Sequence, residues 1–462
     1  MIVLSKTQSI CPVCYKPVEA AYVLQNGQVV ISKTCSEHGQ YTSLVAANPQ
    51  DYIRWTGHPV VNIPPKVNIT KGVSGECPLH CGTCQNHLQT ACCVLIDITD
   101  RCNQHCPYCF AAAESDGEDM PISEIERKYD LLLELGEERE FNIQLSGGEP
   151  TVRDDLPEII SMGRDKGFEY IQINTNGKRI AQEAGYALKL KQAGASVIYL
   201  QFDGMTEDIY MQMRNEPLLD TKLAAIENCR RAGLPVTLVP TIVRDINFDN
   251  IGEMMRFLIA NRDVVKGIHF QPVSYFGRIP GRDCRDRVTM FDCMHAIEEQ
   301  TDGLFKFEDL CPITTGHTLC CFYGTYLREA DGSVRSLLTE QTRKSGVSCC
   351  DSNDPLDIIR KDRDFVLNKW DLPQYEETAS CCCNEPAEEL SCCCSDEPAD
   401  LDDFVRYYKS NMFTVSGMAF MDTSNLDADR LKRCRVVQLT DDDRLIPFCA
   451  YNSIYRKQQN RR

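Results

Sequence analysis

The chain has 462 residues and a formal net charge of −18, and 43% of its residues are hydrophobic. This length allows roughly two to four domains with a sizeable core. The acidic balance argues against a nucleic-acid partner, because neutralising phosphates requires a basic face. A transmembrane helix needs about 20 apolar residues in a row, and the sequence has neither such a run nor a signal-peptide start. We therefore expect a cytoplasmic protein without a transmembrane segment.

Cysteine is the residue type that stands out, with 27 copies. Many of them form tight CxxC and CxxxCxxC groups. Disulfide scaffolds are also rich in cysteine, but they are usually short and secreted. In a long chain of α/β pattern, these groups predict metal and cluster ligation in a reducing environment.

The first group spans residues 11–38. Two short pairs, CPVC and CSEH, flank two β-prone runs that are joined by Asn26-Gly27. Asn-Gly is a strong hairpin signal. Two such knuckles around a hairpin predict a zinc-ribbon or rubredoxin-like module with a closed tetrahedral site for zinc or iron. Its predicted ligands are Cys11, Cys14, Cys35 and His38.

A CxxxCxxC motif follows at residues 77–84. No β-prone run precedes it, so we predict an auxiliary iron–sulfur cluster here, and a second zinc knuckle is the alternative. The predicted ligands are Cys77, Cys81 and Cys84. The fourth ligand is left open between a distant cysteine and four nearby residues, namely His80, His87, Cys92 and Cys93.

From residue 91 the pattern alternates between strand and helix. The predicted strands are 94–98, 141–151, 170–177, 196–204, 235–243 and 267–274. The predicted helices between them are 124–135, 154–166, 179–193, 220–232 and 247–261. Alternation of this kind predicts an α/β fold with a parallel sheet, in this case a partial (βα)6 barrel of TIM type. Active sites of such barrels lie at the carboxyl ends of the strands.

The first of these strands ends in a second CxxxCxxC loop, within the sequence IDITDRCNQHCPYCF. Iron–sulfur clusters normally take four cysteines, so three thiolates suggest a cluster with one iron left open for a ligand. The loop resembles the signature of the radical S-adenosylmethionine (SAM) enzymes, with Tyr108 before the last cysteine. The resemblance implies that Cys102, Cys106 and Cys109 bind a [4Fe–4S] cluster. Its open iron binds SAM, and reductive cleavage of SAM gives a 5′-deoxyadenosyl radical.

The next strand ends in a Gly-Gly-Glu-Pro turn, which resembles the turn that holds the SAM methionine group in this family. The resemblance assigns this role to Ser146, Gly147, Gly148, Glu149 and Pro150. Glycines permit close backbone approach, and a carboxylate suits an ammonium partner. Later strand ends place Asn174, Asn176 and Asp203 where the family contacts SAM. Ordinary polar residues at strand ends are the alternative for these three.

The C-terminal part is again rich in cysteine. Cys311 and Cys320 lie near a predicted hairpin with Asp331-Gly332 at its tip, and we predict that they contribute to an auxiliary cluster, with buried structural thiols as the alternative. An acidic segment at 348–401 carries the repeats SCCCNEPAEEL and SCCCSDEPADL. Its acidic, proline-containing composition with few large apolar residues predicts a flexible segment. Its role is open between soft-metal delivery and an insertion without catalytic function. Three β-prone runs follow within 402–462.

The order of the blocks resembles a particular group of radical SAM proteins, namely archaeal tetraether lipid synthase and its bacterial relatives, some labelled as methyltransferases of a dihydropterin. The repeats and the end of the chain depart from that group. We predict six segments: a metal ribbon (1–60), an auxiliary-cluster segment (61–90), the radical SAM core (91–275), a Cys-containing extension (276–347), the repeats (348–401) and a β-rich end (402–462).

These observations favour an enzyme that modifies an unactivated C–H position by C–C or C–S bond formation or by methylation. The substrate is left open between a small molecule such as a pterin, a lipid and a peptide. The resemblance implies an electron donor such as ferredoxin or flavodoxin. The alternative from another class is a non-catalytic carrier of iron–sulfur clusters or thiophilic metals, which the cysteine repeats suggest. A third hypothesis is that the ribbon docks a protein or peptide substrate.

Overall fold

A computed structural model describes residues 1–65, 77–82, 84, 86–136, 141–281, 286–313, 315–338 and 401–456. The Cys-triplet repeats of the segment 348–401 lie outside the described residues. The strands are β1 (Ile2–Ile10), β2 (Pro17–Gln25), β3 (Gln28–Cys35), β4 (Gly39–Ala46), β5 (Cys93–Thr99), β6 (Asn142–Gly147), β7 (Ile171–Thr175), β8 (Val197–Gln201), β9 (Val236–Val239), β10 (Thr241–Ile242), β11 (Val265–Pro272), β12 (Cys321–Arg328), β13 (Val334–Ser336), β14 (Met412–Met418), β15 (Val436–Leu439) and β16 (Leu445–Pro447).

The α-helices lie mostly between the central strands. They are α1 (Pro49–Thr56), α2 (Ile122–Gly136), α3 (Leu156–Asp165), α4 (Lys178–Gln182), α5 (Tyr186–Gln192), α6 (Glu207–Arg214), α7 (Leu219–Ala232), α8 (Arg244–Asn247), α9 (Ile251–Ala260), α10 (Met290–Gln300), α11 (Leu401–Asn411), α12 (Ala428–Lys432) and α13 (Phe448–Ala450). A π-helix, Tyr451–Tyr455, follows α13 directly.

Strands β1 to β4 form an antiparallel sheet in sequence order. The predicted hairpin is confirmed, because β2 and β3 pair on either side of Asn26-Gly27. Both turn residues have positive φ, 51° and 78°, as a type I′ turn requires. The turn therefore sets the register that brings the two knuckles of the ribbon to the same end.

The second sheet has the order β13-β12-β14-β11-β9-β8-β7-β6-β5-β15-β16, with β10 paired to β11. All neighbours from β5 to β11 along this path pair in parallel. The predicted α/β class and the parallel core are therefore confirmed. The end of the chain also enters this sheet, because β14 pairs with β11 and β15 pairs with β5, both in parallel.

The two faces of this sheet differ in polarity, although both carry apolar residues, since Leu95, Val197 and Val436 lie on the more polar one. One face is apolar and belongs to the main hydrophobic core together with α2, α3 and α7, as for Ile96, Leu145 and Ile173. The opposite face carries the alternate residues, and we call it the polar face. Its members include Cys93, Leu95 and Asp97 on β5, Gln144 and Ser146 on β6, Gln172 and Asn174 on β7, Tyr199 and Gln201 on β8, Thr237 on β9, His269 on β11, Ser416 on β14 and Gln438 on β15.

The predicted strands and helices of the core are found with small shifts, with three exceptions. The helix predicted at 179–193 is two helices, because Gly185 adopts φ of +77° between them. Helix α6 was not predicted, although it fits the span between β8 and α7. The β-prone run at 444–451 was expected to form a strand, but it leaves the extended conformation after Pro447 and becomes helical. A short apolar run does not distinguish a strand from a buried helix.

Candidate active site and metal centres

The CxxxCxxC loop between β5 and α2 is held by backbone hydrogen bonds at both ends. The amide of Cys102 donates to the carbonyl of Glu114 at 2.8 Å. Cys109 and Arg278 exchange both amide-to-carbonyl bonds, at 2.9 and 2.8 Å. Arg278 also donates from its guanidinium to the carbonyl of Cys106 at 3.1 Å. The loop is therefore fixed by a segment that lies 170 residues or so downstream, roughly one domain length.

A buried ion pair also holds the cysteine loop, through a contact to the carbonyl of Tyr108. Arg214 on α6 donates to both carboxylate oxygens of Asp203 at 2.7 Å. Its remaining Nη1 donates to the carbonyl of Tyr108 at 2.6 Å. Burial raises the pKa of the Cys106 thiol, and the positive charge of Arg214 opposes this effect. A guanidinium at this position favours an anionic ligand set in the loop.

The Gly-Gly turn after β6 packs directly against the start of the cysteine loop. The amides of Gly148 and Glu149 donate to the carbonyls of Thr99 and Arg101 at 2.8 and 2.9 Å. A Cβ at Gly148 would lie 2.2 Å from the Arg101 oxygen, and one at Gly147 would lie 2.1 Å from the Thr99 oxygen. Gly147 also has φ of +128°. Only glycine permits this approach, so the two predicted motifs form one unit.

Glu149 is buried and its carboxylate is an acceptor for several groups. Oε1 accepts from the hydroxyls of Thr151 and Thr175, both at 2.6 Å, and Oε2 accepts from the amide of Asn176 at 2.6 Å. Burial raises the pKa of the Cys102 thiol to about 12, and the Glu149 carboxylate adds to this rise. The carboxylate therefore ties the strand ends of β6 and β7 together close to the cysteine loop.

The other predicted SAM contacts lie at the same edge of the sheet. Asn176 donates to Asn103 Oδ1 in the cysteine loop at 2.7 Å, and its own carbonyl accepts from the buried Lys222. Asn174 is on the polar face and donates to Gln144 at 3.4 Å. Asp203 is fully buried and engaged by Arg214. Direct contact of these residues with SAM stays a prediction.

The loop offers a donor set that fits an open iron–sulfur cluster. Three thiols converge there, since Cys106 and Cys109 both influence the pKa of Cys102. Gln104 lies beside Cys106 Sγ at 3.6 Å, and its buried Nε2 has no hydrogen-bond partner among the described residues. A buried amide donor without an acceptor is costly, and a cluster sulfide or thiolate would satisfy it.

The ribbon residues are gathered as predicted. The ligand atoms of Cys11, Cys14, Cys35 and His38 all lie within 4.8 Å of one another. His38 Nδ1 is 3.5 Å from Cys35 Sγ and 3.7 Å from Cys11 Sγ. One imidazole and three thiols at this spacing fit a tetrahedral zinc or iron ion with no position left for a substrate.

Comparisons with known proteins agree with this geometry. Residues 96–258 match the model of the Radical SAM superfamily, and residues 3–47 match the HMPTM N-terminal zinc ribbon domain. A 7,8-dihydro-6-hydroxymethylpterin dimethyltransferase of Methanocaldococcus jannaschii is 33% identical over 98% of this chain and 94% of its own length. The chain belongs to the radical SAM superfamily. It is thus a radical SAM enzyme, and this superfamily uses a [4Fe–4S] cluster and SAM.

Other relatives align with a smaller share of this chain. The Fe-coproporphyrin III synthase of Methanosarcina barkeri is 34% identical over 40% of this chain, and the chain spans 45% of that protein. Among solved structures, Streptococcus suis SuiB bound to S-adenosylmethionine is 16% identical over 47% of this chain and 48% of its own, with a TM-score of 0.37. None of the helices in the described ranges combines the length and apolar composition that crossing a bilayer requires.

The second CxxxCxxC motif of this radical SAM enzyme packs against the end of the chain. The hydroxyl of Tyr455 accepts from the amide of Cys81 at 2.8 Å and donates to the carbonyl of Pro78 at 2.9 Å. His87 Nε2 lies 3.0 Å from the carbonyl of Cys434. Burial raises the pKa of the Cys81 thiol, and Cys77 and Cys84 both add to this rise. The three predicted thiols are therefore close enough to interact. Cys81 is buried, and Cys77 and Cys84 are partly exposed.

Three further cysteines come together around Arg430. Cys320 Sγ accepts from the guanidinium of Arg430 at 3.4 Å, and Cys449 Sγ accepts from the amide of Met421 at 3.2 Å. Burial raises the pKa of Cys434, and Cys449 and Cys320 add to this rise. These thiols come from three separate parts of the chain. We call Cys320, Cys434 and Cys449 the Arg430 thiol group.

The structure adds residues to the predicted set. Cys311 forms a backbone bridge with Tyr323 on β12, and its role as a ligand stays a prediction. The sequence did not single out Arg214, Arg278 or Arg430. The local sequence does not distinguish an arginine that contacts a distant loop from one that faces solvent.

Proposed function

We propose that this radical SAM enzyme methylates a pterin by a radical mechanism. The observation that carries the proposal is the contact between the Gly147-Gly148 turn and the backbone that leads into the cysteine loop. The cluster would be held by Cys102, Cys106 and Cys109. When they are bound, the cluster and SAM would supply a 5′-deoxyadenosyl radical for the removal of one hydrogen from a pterin C–H bond. A second molecule of SAM would donate the methyl group that replaces this hydrogen and would leave as S-adenosylhomocysteine, with the electrons supplied by the external donor.

The residues around the loop have separate tasks in this proposal. Arg214 and Arg278 hold the loop from two sides. The buried Glu149 orients the strand ends, and the turn from Ser146 to Pro150 offers the methionine part of SAM a backbone surface that lacks side chains. Asn174 and Asn176 would bind the part of SAM beyond its methionine group directly. Asp203 would act indirectly, by orienting Arg214.

The pterin substrate is taken from the dimethyltransferase that aligns over nearly the whole of this chain. The polar face supports it over a lipid, because most of its members are amides, hydroxyls and other polar groups. A lipid chain would need an apolar lining. The sheet would curve around this face as the partial (βα)6 barrel, and the six segments predicted from the sequence would act as one enzyme in the cytoplasm.

The auxiliary centres form the second part of the proposal. Cys77, Cys81 and Cys84 would hold one [4Fe–4S] cluster. The Arg430 thiol group would hold a further iron–sulfur centre or supply ligands to the first, and it includes Cys320 of the predicted pair Cys311 and Cys320. The ribbon would hold structural zinc. Ferredoxin or flavodoxin would deliver the electron to the cluster of the cysteine loop.

The test uses the full chain, reconstituted without oxygen. With dithionite it should release 5′-deoxyadenosine from SAM, and a Cys102→Ala variant should not. With 7,8-dihydro-6-hydroxymethylpterin added, the product should gain the mass of one or two methyl groups. Equal, background release by wild type and variant would refute the radical chemistry. Release of 5′-deoxyadenosine without any methylated pterin would refute the substrate alone.

The metal carrier is the competing function. It predicts metal transfer to an acceptor protein that is independent of SAM and survives the Glu149→Gln substitution. Loss of transfer in that variant would count against the carrier, because the Glu149 carboxylate lies in the turn and binds Thr151, Thr175 and Asn176, which belong to the SAM edge of the sheet.

A further inference from the structure

Asp97 has an unusual position on the polar face. It is at the carboxyl end of β5, in register with Ser146 of the Gly-Gly turn, and five positions before Cys102. Arg456, from the turn that ends the C-terminal π-helix, donates to Asp97 Oδ2 at 2.9 Å. The other oxygen, Oδ1, is buried and has no hydrogen-bond partner among the described residues. A carboxylate has about four acceptor positions, so most of its capacity is free.

Two more polar atoms on this face are buried and lack a hydrogen-bond partner among the described residues. Gln438 on β15 is 1% exposed, and its Oε1 has no partner within the described ranges. Thr237 on β9 is 3% exposed, and its Oγ1 is likewise unpaired there. Buried polar groups in proteins are normally satisfied. Three unpaired atoms on one face of the sheet therefore indicate a surface built to bind a polar ligand.

The neighbouring side chains are already fixed by hydrogen bonds. Gln172 donates to Asn174 at 2.7 Å, and Gln144 donates to Cys93 Sγ at 2.5 Å. Asn174 connects the two by donating to Gln144 at 3.4 Å. Such a network holds its donors and acceptors in place before a ligand arrives, which lowers the cost of binding.

The charged and polar groups on this face restrict the kind of ligand that can bind there. Among the polar-face residues named above, Asp97 is the only carboxylate, and Arg456 holds it in one orientation. Gln438 adds a neutral acceptor on the adjacent strand, next to Leu95. An alkyl chain would leave these atoms unpaired. A flat ring whose edge carries two adjacent N–H donors would satisfy both oxygens of the carboxylate.

We propose that Asp97, assisted by Gln438, recognises the amidine edge of an aminopyrimidine ring, that is, a ring N–H beside an exocyclic NH2. This inference rests on the proposed function, because it assigns the specificity of the same site. Arg456 is a positioning residue that orients the carboxylate. Asp97 is a binding residue and takes no part in the radical step.

The experiment measures equilibrium binding of two ligands to the reconstituted holoenzyme by calorimetry without oxygen. One ligand is 7,8-dihydro-6-hydroxymethylpterin, and the other is its analogue with the 2-amino group replaced by oxygen. Wild type should bind the amino ring at least about 10-fold more tightly than the oxo ring. Asp97→Asn should weaken binding of the amino ring by about 10- to 100-fold, the range expected for charge-assisted hydrogen bonds, and should remove most of the discrimination.

One further variant controls for misfolding, and another tests the role of Gln438. The control, Asp130→Asn, changes an exposed carboxylate on α2 that pairs with Lys166, and it should bind both ligands as wild type does. The test variant, Gln438→Met, leaves both residues of the Asp97–Arg456 pair unchanged and should weaken binding of the amino ring by about 3- to 10-fold. Iron content and circular dichroism should be the same in all four proteins.

The outcomes separate this inference from the proposed function. Equal binding of the two rings by wild type, or unchanged discrimination in Asp97→Asn, would overturn the role of Asp97. Cleavage of SAM in the absence of a pterin tests the radical chemistry separately. A protein that cleaves SAM but does not discriminate between the rings keeps its radical function and loses this inference. A protein that discriminates through Asp97 but does not cleave SAM supports the role of Asp97 in binding and refutes the proposed radical chemistry.

Discussion

Arg214 and Asp203 form a bidentate ion pair in the interior, with both N···O distances at 2.7 Å, and Arg214 also holds the carbonyl of Tyr108. The side chains of the pair are 5% and 0% exposed. The pair therefore joins the end of β8 to the cysteine loop between β5 and α2. A structural ion pair at the carboxyl ends of the strands thus controls the geometry of the cysteine loop.

Arg214→Lys should impair cluster binding. Lysine cannot form the bidentate contact, and disrupting a buried pair costs about 3–5 kcal/mol. We expect a lower iron content after reconstitution and at least about 10-fold slower release of 5′-deoxyadenosine. Arg231→Lys, on the exposed side of α7, is the matched control and should behave as wild type. Full iron content and full activity in Arg214→Lys would contradict this role.

Gly148→Ala should abolish the contact between the turn and the cysteine loop. The new methyl group would lie 2.2 Å from the carbonyl oxygen of Arg101, which is backbone and has little freedom to move. We expect SAM cleavage to fall by about 100-fold, a value typical of a misplaced reacting geometry. Gly136→Ala is the control, because its nearest neighbour is a Phe141 side chain at 3.7 Å. The readout is 5′-deoxyadenosine release at saturating SAM, and equal rates for the two variants would reject the prediction.

Asp427→Ala should loosen the ribbon from the rest of the protein. The Asp427 carboxylate accepts from Thr7 at 2.5 Å and from Tyr22 at 2.6 Å, and it is 1% exposed. Removing an acceptor from buried donors costs about 1–3 kcal/mol. We expect faster amide hydrogen exchange in β1 and β2 with unchanged zinc content. Asp331→Ala, at the exposed tip of the hairpin of β12 and β13, should leave the exchange pattern unchanged; similar exchange in both variants would show that Asp427 does not hold the ribbon.

Lys266 should make stability depend on pH. Burial lowers its pKa to about 7, and its ammonium group contacts the carbonyls of Arg262, Lys409 and Ser410. The unfolded chain has the ordinary pKa of about 10.4, so it binds more protons than the folded chain above pH 7. Stability should therefore increase as pH rises from 6.5 to 8.5, by about 1–2 kcal/mol from this group.

Lys266→Met tests this dependence. The variant should show a flatter apparent melting temperature over the same pH range, measured by calorimetry on the holoenzyme. Lys189→Met, an exposed lysine that pairs with Glu183, should keep the slope of wild type. Parallel curves for wild type and Lys266→Met would show that the buried lysine is not the cause.

The local chemistry of the sequence determined the elements that carry the site. Three cysteines directly after an apolar run, two glycines after the next one and the Asn26-Gly27 turn all act within a few residues. Turn geometry and strand alternation depend on such short-range preferences, and for this reason the parallel core and the ribbon hairpin were predictable. Helix α6 was not predicted, because it is short, although Thr206 at its N-cap and two acidic residues in its first turn are start signals. Because the helix was missed, Arg214 was missed too.

The tertiary structure alone decided which distant residues meet. Asp97 contacts Arg456 across 359 positions of sequence, and Arg278 reaches back to the cysteine loop. The Arg430 thiol group likewise joins cysteines that no spacing rule connects. These contacts depend on how strands β14 and β15 enter the core sheet at its two sides, and pairing between remote segments is set by complementary packing and burial. The sequence therefore determined the kind of chemistry, and the fold decided which charges and thiols surround it.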